Sequence, residues 1–385
     1  MKIAHVTLRF DAPGGVETNV REVTRRLRAA GEEVEVFASD LFDEGRWERR
    51  DRYAPMVDGV PVHRFPVHKR LIPGLTMPMM VGLVDALAES GADVIHAHSH
   101  RYGHVLQAAA VAERLGIPLV VSPHYHPANR DEPPIKRGLL RMQDVGFGMT
   151  AYRLARALIV QTPREGRLVG EFAPSSKMRT IPPGIDLASW DSPASDRSEG
   201  LDLPAGYLLF VGRIAPNKGL GFLVEALARL PPADRPPLVL MGRDWGERAR
   251  IESLARDRGV LDRLRFLDHV AEPATYRAVI RGASAFVLPS EWEAFGLVLL
   301  EAMVAGVPIV ASAVGGVPDV LESGRLGRLV PYGDATALAT ALRETLRDGP
   351  TVRERVAEAT RRVRGYDWAE TAERHRALYR EVVRI

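Results

Sequence analysis

Short apolar runs alternate with helical stretches along this chain, and the alternation runs twice. Residues 3–8 form the first apolar run, Pro13, Gly14 and Gly15 break it, and Val16, Val20, Val23 and Leu27 then recur at steps of 4, 3 and 4. Those steps lay one apolar face along a helix. Gly31 suits the end of that helix and residues 33–37 return to a strand pattern, so the chain opens on a βαβ unit. Strand-like runs follow at 93–97, 118–122 and 157–161, separated by helical stretches. The pattern predicts a parallel sheet covered by helices on both faces. Residues 186–206, DLASWDSPASDRSEGLDLPAG, are rich in Ser, Asp, Pro and Gly and read as an interdomain linker. Beyond them the pattern restarts, with strands at 207–212, 237–241, 264–267 and 285–289 and helices at 220–230 and near 247–258. A second Rossmann-like half follows from this, and segments 335–347, 352–364 and 368–383 close the chain as helices.

The length of 385 residues suits two such domains. Lysine and arginine number 52 against 49 acids, a net charge of +3, which gives no reason to expect a nucleic-acid-coating surface. The absence of cysteine excludes disulfide frameworks, thiolate zinc sites and cysteine nucleophiles together. The first apolar run stops at Arg9, too short for a signal peptide, and the longest, 296–317, is interrupted by Glu301 and Pro308. A cytoplasmic protein is expected, with any membrane contact peripheral.

The most informative segment is 289–321, PSEWEAFGLVLLEAMVAGVPIVASAVGGVPDVL. A strand ends at Pro289, a short loop carries Glu291 and Glu293, and a helix is expected to start near Phe295 or Gly296 with Glu301 inside it. The first amides of a helix lack intrahelical partners and carry the positive end of its dipole, so they suit an anionic or hydroxyl-rich ligand. At a rise of 1.5 Å per residue, Glu293 and Glu301 would stand at most about 12 Å apart, able to hold two ends of one ligand. A second segment, RIAPNKG, places Arg213 and Lys218 on a loop at the carboxyl end of a strand, where ligands sit in open α/β sheets. An arginine fork and a mobile lysine there could neutralise a diphosphate, although basic pairs in loops commonly face solvent only.

The spacing of Glu293 and Glu301 closely resembles the E-x7-E signature of family 4 of the retaining glycosyltransferases, and the likeness extends through GVPIVASAVGGVPDVL. VGR-x4-KG, met here at Arg213 and Lys218, and GYDW at 365–368 resemble the same family, as does MGRDWGERARIESLARDRGV apart from Arg243, where a smaller residue is common. The resemblance implies a GT-B fold, two Rossmann-like domains facing across a cleft that closes on its substrates. Residues 1–188 would receive the acceptor, with the last helix, 366–385, packing back on them, and 203–365 would bind the nucleotide sugar. It implies that Glu293 contacts the transferred sugar, that the amides of Ala294, Phe295, Gly296 and Leu297 meet sugar or phosphate oxygens, and that Glu301 binds the ribose. Arg213 and Lys218 would contact the donor diphosphate. His124, in VVSPHYHP, occupies the place of the family's active-site histidine, with His126 the alternative if the loop register differs. Gly14 and Gly15, in PGGVE, would let the backbone approach the donor phosphate; a tight turn alone would also account for them.

No D-x-D triplet occurs in the chain, so the carboxylate motif that holds a divalent cation in the other large glycosyltransferase fold is missing. With no metal, protein donors must stabilise the departing phosphate, so metal-independent activity is expected, with no cofactor beyond a UDP- or GDP-sugar as co-substrate. His96, His98 and His100 alternate as in a strand and invite a metal hypothesis, but the run straddles a strand end and no carboxylate matches it, so a cleft lining is favoured. Segments 63–80 and 133–149 mix basic and apolar residues, which suits either ordinary acceptor-domain helices or a membrane surface presenting a lipid-linked acceptor. Trp47 with Arg46, Arg49 and Arg50 reads as an exposed loop. The resemblance therefore implies an EC 2.4 hexosyltransferase that retains anomeric configuration and transfers a sugar to a glycan or lipid-linked acceptor of the cell envelope. Two rivals share the fold: a sugar-nucleotide 2-epimerase, and a catalytically silent sugar-nucleotide-binding subunit.

Overall fold

A computed structural model describes residues 1–43, 47–49, 54–67, 79–128, 133–191, 201, 203–268, 270–347 and 349–384. Residues 192–200 and 202 of the expected linker, residues 68–78 of segment 63–80, and Arg46 and Arg50 lie outside the described residues. The chain forms two compact units, one of Met1–Gly184 with Trp368–Ile385, the other of Ile185–Asp367.

The N-terminal unit is built on one sheet whose strands run in the spatial order Met178–Thr180, Ala157–Val160, Leu119–Ser122, Val94–His98, Lys2–Thr7, Glu33–Ser39, Val60–Phe65 and Met56–Val57. All neighbours pair in parallel except the last two, which are antiparallel. Val60–Phe65 and Met178–Thr180 are not among the sequence-based strands: Pro61 masks the first, and MRT carries too little apolar signal to mark the second. The helix Gly15–Ala29 turns Val20, Val23 and Leu27 into the core, as its spacing predicts. The helix Trp368–Val383 packs on it and buries Trp368, Leu378 and Tyr379.

The second unit carries a six-stranded, wholly parallel sheet in the order Leu264–Leu267, Leu238–Met241, Leu208–Val211, Ala285–Leu288, Ile309–Ser312, Arg328–Val330. Numbered by position in the chain this is 3-2-1-4-5-6, the doubly wound order, with its reversal between Leu208–Val211 and Ala285–Leu288. The strand Ile309–Ser312 was hidden within a long apolar stretch, where helix and buried strand have no distinguishing period. Among the described residues no helix is long and apolar enough to cross a membrane.

Histidines fill an unusual share of the first unit's interior. His5, His96, His98 and His104 are almost wholly buried, and His375 joins them from the last helix. The expected alternation stops at His98; His100 lies beyond the strand, where its Nε2 meets Asp144 at 2.7 Å and its Nδ1 meets the Tyr152 hydroxyl at 2.5 Å. Burial pushes His5 down to about 3 and His104, His124 and His375 down to about 4, and holds His96 and His98 well below the usual range. A group depressed in the folded state contributes stability above its unfolded value of 6.5 and loses it as pH falls toward the folded value. One imidazole moved from 6.5 to about 4 accounts for roughly 3 kcal/mol of such dependence. Chemical unfolding followed at pH 7, 6 and 5 should therefore show the N-terminal unit losing several kcal/mol with net proton uptake on unfolding. Equal stability at all three values would count against neutral buried imidazoles.

Candidate active site

The reversal of strand order in the second unit opens the sheet at the carboxyl ends of its first and fourth strands, and both motif loops leave from there. Arg213 follows the first strand, its guanidinium 4.5 Å from the centre of the Trp245 ring. Lys218 closes the turn Pro216–Lys218 and its ammonium donates to Glu293 Oε1 at 2.6 Å, both side chains being largely buried. The expected cationic loop and the first glutamate are thus brought into direct contact.

Three glycines make this possible. Gly219 has φ +64°, and a Cβ there would overlap the Pro289 carbonyl. Gly242, at φ +146°, approaches the Gly212 carbonyl as closely, while Ile214 and Asp244 bridge the two loops. Gly315, at φ +49°, lies against the Glu293 carbonyl, which also accepts from the Gly316 amide at 2.9 Å. The Glu291 amide donates to the Asn217 carbonyl at 2.9 Å, tying the glutamate loop to the lysine loop. Side chains at these positions would force the loops apart.

The helix itself begins at Leu297, later than its expected start. Gly296 adopts φ +87°, which no helical residue does, and Ala294 and Phe295 belong to the preceding loop. Of the four amides assigned to the helix terminus only that of Leu297 lies in the helix. Glu293 is likewise in the loop, so a helical rise does not set its distance from Glu301. The Phe295 side chain is core, packed edge-on against Tyr366 with ring centres 5.9 Å apart. Glu301 accepts from the Tyr276 hydroxyl at 2.6 Å; burial pushes its carboxyl up to about 7 and the tyrosine only partly offsets this. Tyr276, on the helix Pro273–Arg281, and Trp245 carry no sequence signal of a role, whereas the Gly315–Gly316 pair was visible within the motif.

In the N-terminal unit Gly14 precedes the helix Gly15–Ala29, and the space a Cβ would take there is filled by the Glu17 carboxylate, which pairs with Arg9 at 2.6 Å. His124 follows the strand Leu119–Ser122 in a left-handed conformation, φ +45°. Its neighbour is held by Glu165, whose carboxylate accepts from the Tyr125 amide at 2.8 Å and the Gln161 amide at 2.6 Å while burial pushes it up to about 7. His126 is exposed, its Nδ1 2.6 Å from the Pro127 carbonyl oxygen.

Two family models match in succession, Glycosyltransferase Family 4 over residues 13–189 and Glycosyl transferases group 1 over residues 191–363. The chain is 34% identical to a D-inositol 3-phosphate glycosyltransferase of Frankia alni, across 93% of this chain and 92% of that one. It is 31% identical to the protein of that name from Acidothermus cellulolyticus, across 96% and 86%. Among solved structures it superposes on a sucrose-phosphate synthase from Thermosynechococcus elongatus with a TM-score of 0.77 at 26% identity, covering 99% and 98%. Anabaena HepE, solved with UDP and glucose, shares the fold with a TM-score of 0.79 at 21% identity, covering 99% and 100%. Such a pair of doubly wound units, with cation and carboxylate loops at the strand ends of the second, defines a GT-B glycosyltransferase. The chain belongs to glycosyltransferase family 4, in the glycosyl transferases group 1.

Gly315→Ala should drive a methyl into the Glu293 carbonyl at a backbone angle that L-residues avoid, costing roughly 2–4 kcal/mol. Thermal unfolding and sugar transfer measured on the same sample should fall together. A variant of unchanged stability would mean that the loop does not depend on this close approach.

Proposed function

We propose that this glycosyltransferase is a retaining, metal-independent enzyme that moves a sugar from a UDP- or GDP-sugar to an acceptor hydroxyl. The contact between Lys218 and Glu293 carries the reading: it puts a cation suited to a leaving diphosphate beside a carboxylate suited to sugar hydroxyls. Arg213, steadied on Trp245, supplies a second cation with fork geometry for phosphate oxygens. The Ala294, Phe295, Gly296 and Leu297 amides would complete the sugar and phosphate contacts. From the N-terminal unit, His124 is proposed to contact the transferred sugar, and the turn at Gly14 and Gly15 to bring its backbone to the donor phosphate.

In this reading the bond between the anomeric carbon and the diphosphate oxygen breaks as the acceptor oxygen attacks the same face, through an oxocarbenium-like transition state. The acceptor's proton goes to the departing phosphate, so no side chain acts as nucleophile. Fixed cations stabilise charge where it develops, and preorganised donors of this kind contribute the largest share of many rate enhancements. For the acceptor, the relatives' D-inositol 3-phosphate is an anionic polyol to test first. A lipid-linked glycan is the second candidate, because the helix Pro134–Gln143 exposes Ile135 and Met142 beside Lys136 and Arg137.

A turnover screen across UDP-, GDP- and ADP-sugars with these acceptors tests the assignment. Transfer, or slow donor hydrolysis, should persist in chelator, and Lys218→Ala or Glu293→Ala should lower kcat about 10²- to 10³-fold with the fold intact. A strict divalent-metal requirement, or full activity in both variants, would refute it. Donor conversion without acceptor would favour the epimerase.

Glu301 is proposed to accept from the ribose hydroxyls, which requires its ionised form. Because its carboxyl is raised to about 7, donor KM should climb as pH falls below that value, by up to about tenfold per unit. Glu301→Gln should show a higher KM without that limb; a wild-type KM constant from about pH 8 to about pH 6 would remove Glu301 from donor binding.

A further inference from the structure

Three imidazoles form a chain through the core of the N-terminal unit and end on His124. His5 Nδ1 lies 3.0 Å from His98 Nε2, and His98 Nδ1 lies 3.4 Å from His124 Nε2. The rings of His5 and His98 are stacked, with centres 5.3 Å apart, and those of His98 and His124 likewise at 5.7 Å. His5 and His98 are 0% and 1% exposed. Beside them His96 is engaged separately, its Nδ1 2.6 Å from the Tyr379 hydroxyl and its Nε2 2.8 Å from Ser122 Oγ. His375, whose Nδ1 is 2.8 Å from the Thr371 carbonyl oxygen, and His104, whose Nε2 is 2.8 Å from the His98 carbonyl oxygen, are also packed beside the chain.

His5, His96 and His98 stand close enough together to be considered as metal ligands. Five of their six ring nitrogens, however, already have hydrogen-bond partners, and the group contains no carboxylate to balance a buried divalent charge. The geometry instead describes a line of neutral rings, each with one donor and one acceptor nitrogen.

Direction follows from the inner end. His5 Nε2 is buried with no partner, and a buried nitrogen without a partner is better left as a bare lone pair than as an N–H. The His5 proton therefore sits on Nδ1 and donates to His98 Nε2. His98, accepting there, carries its own proton on Nδ1 and donates to His124 Nε2. His124 must then hold its proton on Nδ1, a nitrogen with no hydrogen bond among the described residues.

We infer that His5 and His98 are positioning residues that fix the tautomer of His124, so that it presents an Nδ1–H donor, rather than a basic lone pair, to an oxygen of the transferred sugar. The inference rests on the proposed role of His124 for its catalytic consequence, but the tautomer stands independently of it. It also gives a reason for the absence of a side-chain base in the proposed reaction: the one imidazole offered to the sugar has its accepting nitrogen occupied from behind.

The test is nitrogen-15 NMR of the imidazoles in the full-length protein near neutral pH, with kinetics of His98→Phe, His5→Phe and a control, His96→Phe. His124 should read as the Nδ1–H tautomer in the native protein and as a mixture in His98→Phe and His5→Phe. The control should lose stability without changing that tautomer. His98→Phe should lose about tenfold in kcat, the equivalent of one hydrogen bond, with donor KM within about twofold. An Nε2–H tautomer at His124 in the native protein, or capture of added zinc by the His5, His96 and His98 rings, would overturn the inference whatever the variants do. If the tautomer is as stated but His124→Ala leaves turnover unchanged, the catalytic role of His124 fails and the relay remains.

Discussion

Parallel strands must be joined by crossovers, and crossovers of one hand can build a sheet outward only in one direction at a time. Where the chain returns to the first strand and builds the other way, successive connections leave on opposite faces and the carboxyl ends of two neighbouring strands stay uncovered. Both units meet this constraint. In the second it falls between Leu208–Val211 and Ala285–Leu288, and in the first between Lys2–Thr7 and Val94–His98. The residues with chemistry to offer gather near these reversals: Arg213, Lys218 and Glu293 in one unit, His5, His98 and the loop at Gly14 in the other.

What turns the reversal into a site is close backbone approach. Gly219 against Pro289, Gly242 against Gly212 and Gly315 against Glu293 each put a main chain where a side chain would otherwise stand. The loops converge tightly enough for the Lys218 ammonium to reach Glu293, and the partly buried surroundings strengthen that pairing relative to water. Similar logic places a carboxyl beside Tyr276, where desolvation outweighs the single hydrogen bond and keeps Glu301 poised near neutrality.

The first unit manages polarity differently. Its buried His5, His96 and His98 stay uncharged because low dielectric penalises their charged forms, and their ring hydrogen bonds run to one another, to His124, to Tyr379 and to Ser122. Neutral rings so arranged behave as a directional network, ordered by which nitrogen is left bare at the buried end. Glu165 does comparable work for the backbone, holding the residue after His124 while His124 itself sits in a left-handed conformation.

The sequence by itself determined the two α/β halves, because strands and helices write distinct periods into the chain, and it determined which residues carry the family's motifs. The E-x7-E spacing and VGR-x4-KG named Glu293, Glu301, Arg213 and Lys218 without coordinates. It placed the helix start too early, since a left-handed Gly296 leaves no mark in an apolar pattern, and it missed Ile309–Ser312, whose surroundings are apolar on every side. Only the tertiary structure decided that Lys218 touches Glu293, that Tyr276 faces Glu301, and that His5 joins His98 and His124 in one line. Those pairs are separated by 75, 25, 93 and 26 positions respectively, and local periodicity carries no information across such distances. Contacts of that range exist because parallel strands bring distant segments into register, and which side chains then meet is a property of the sheet.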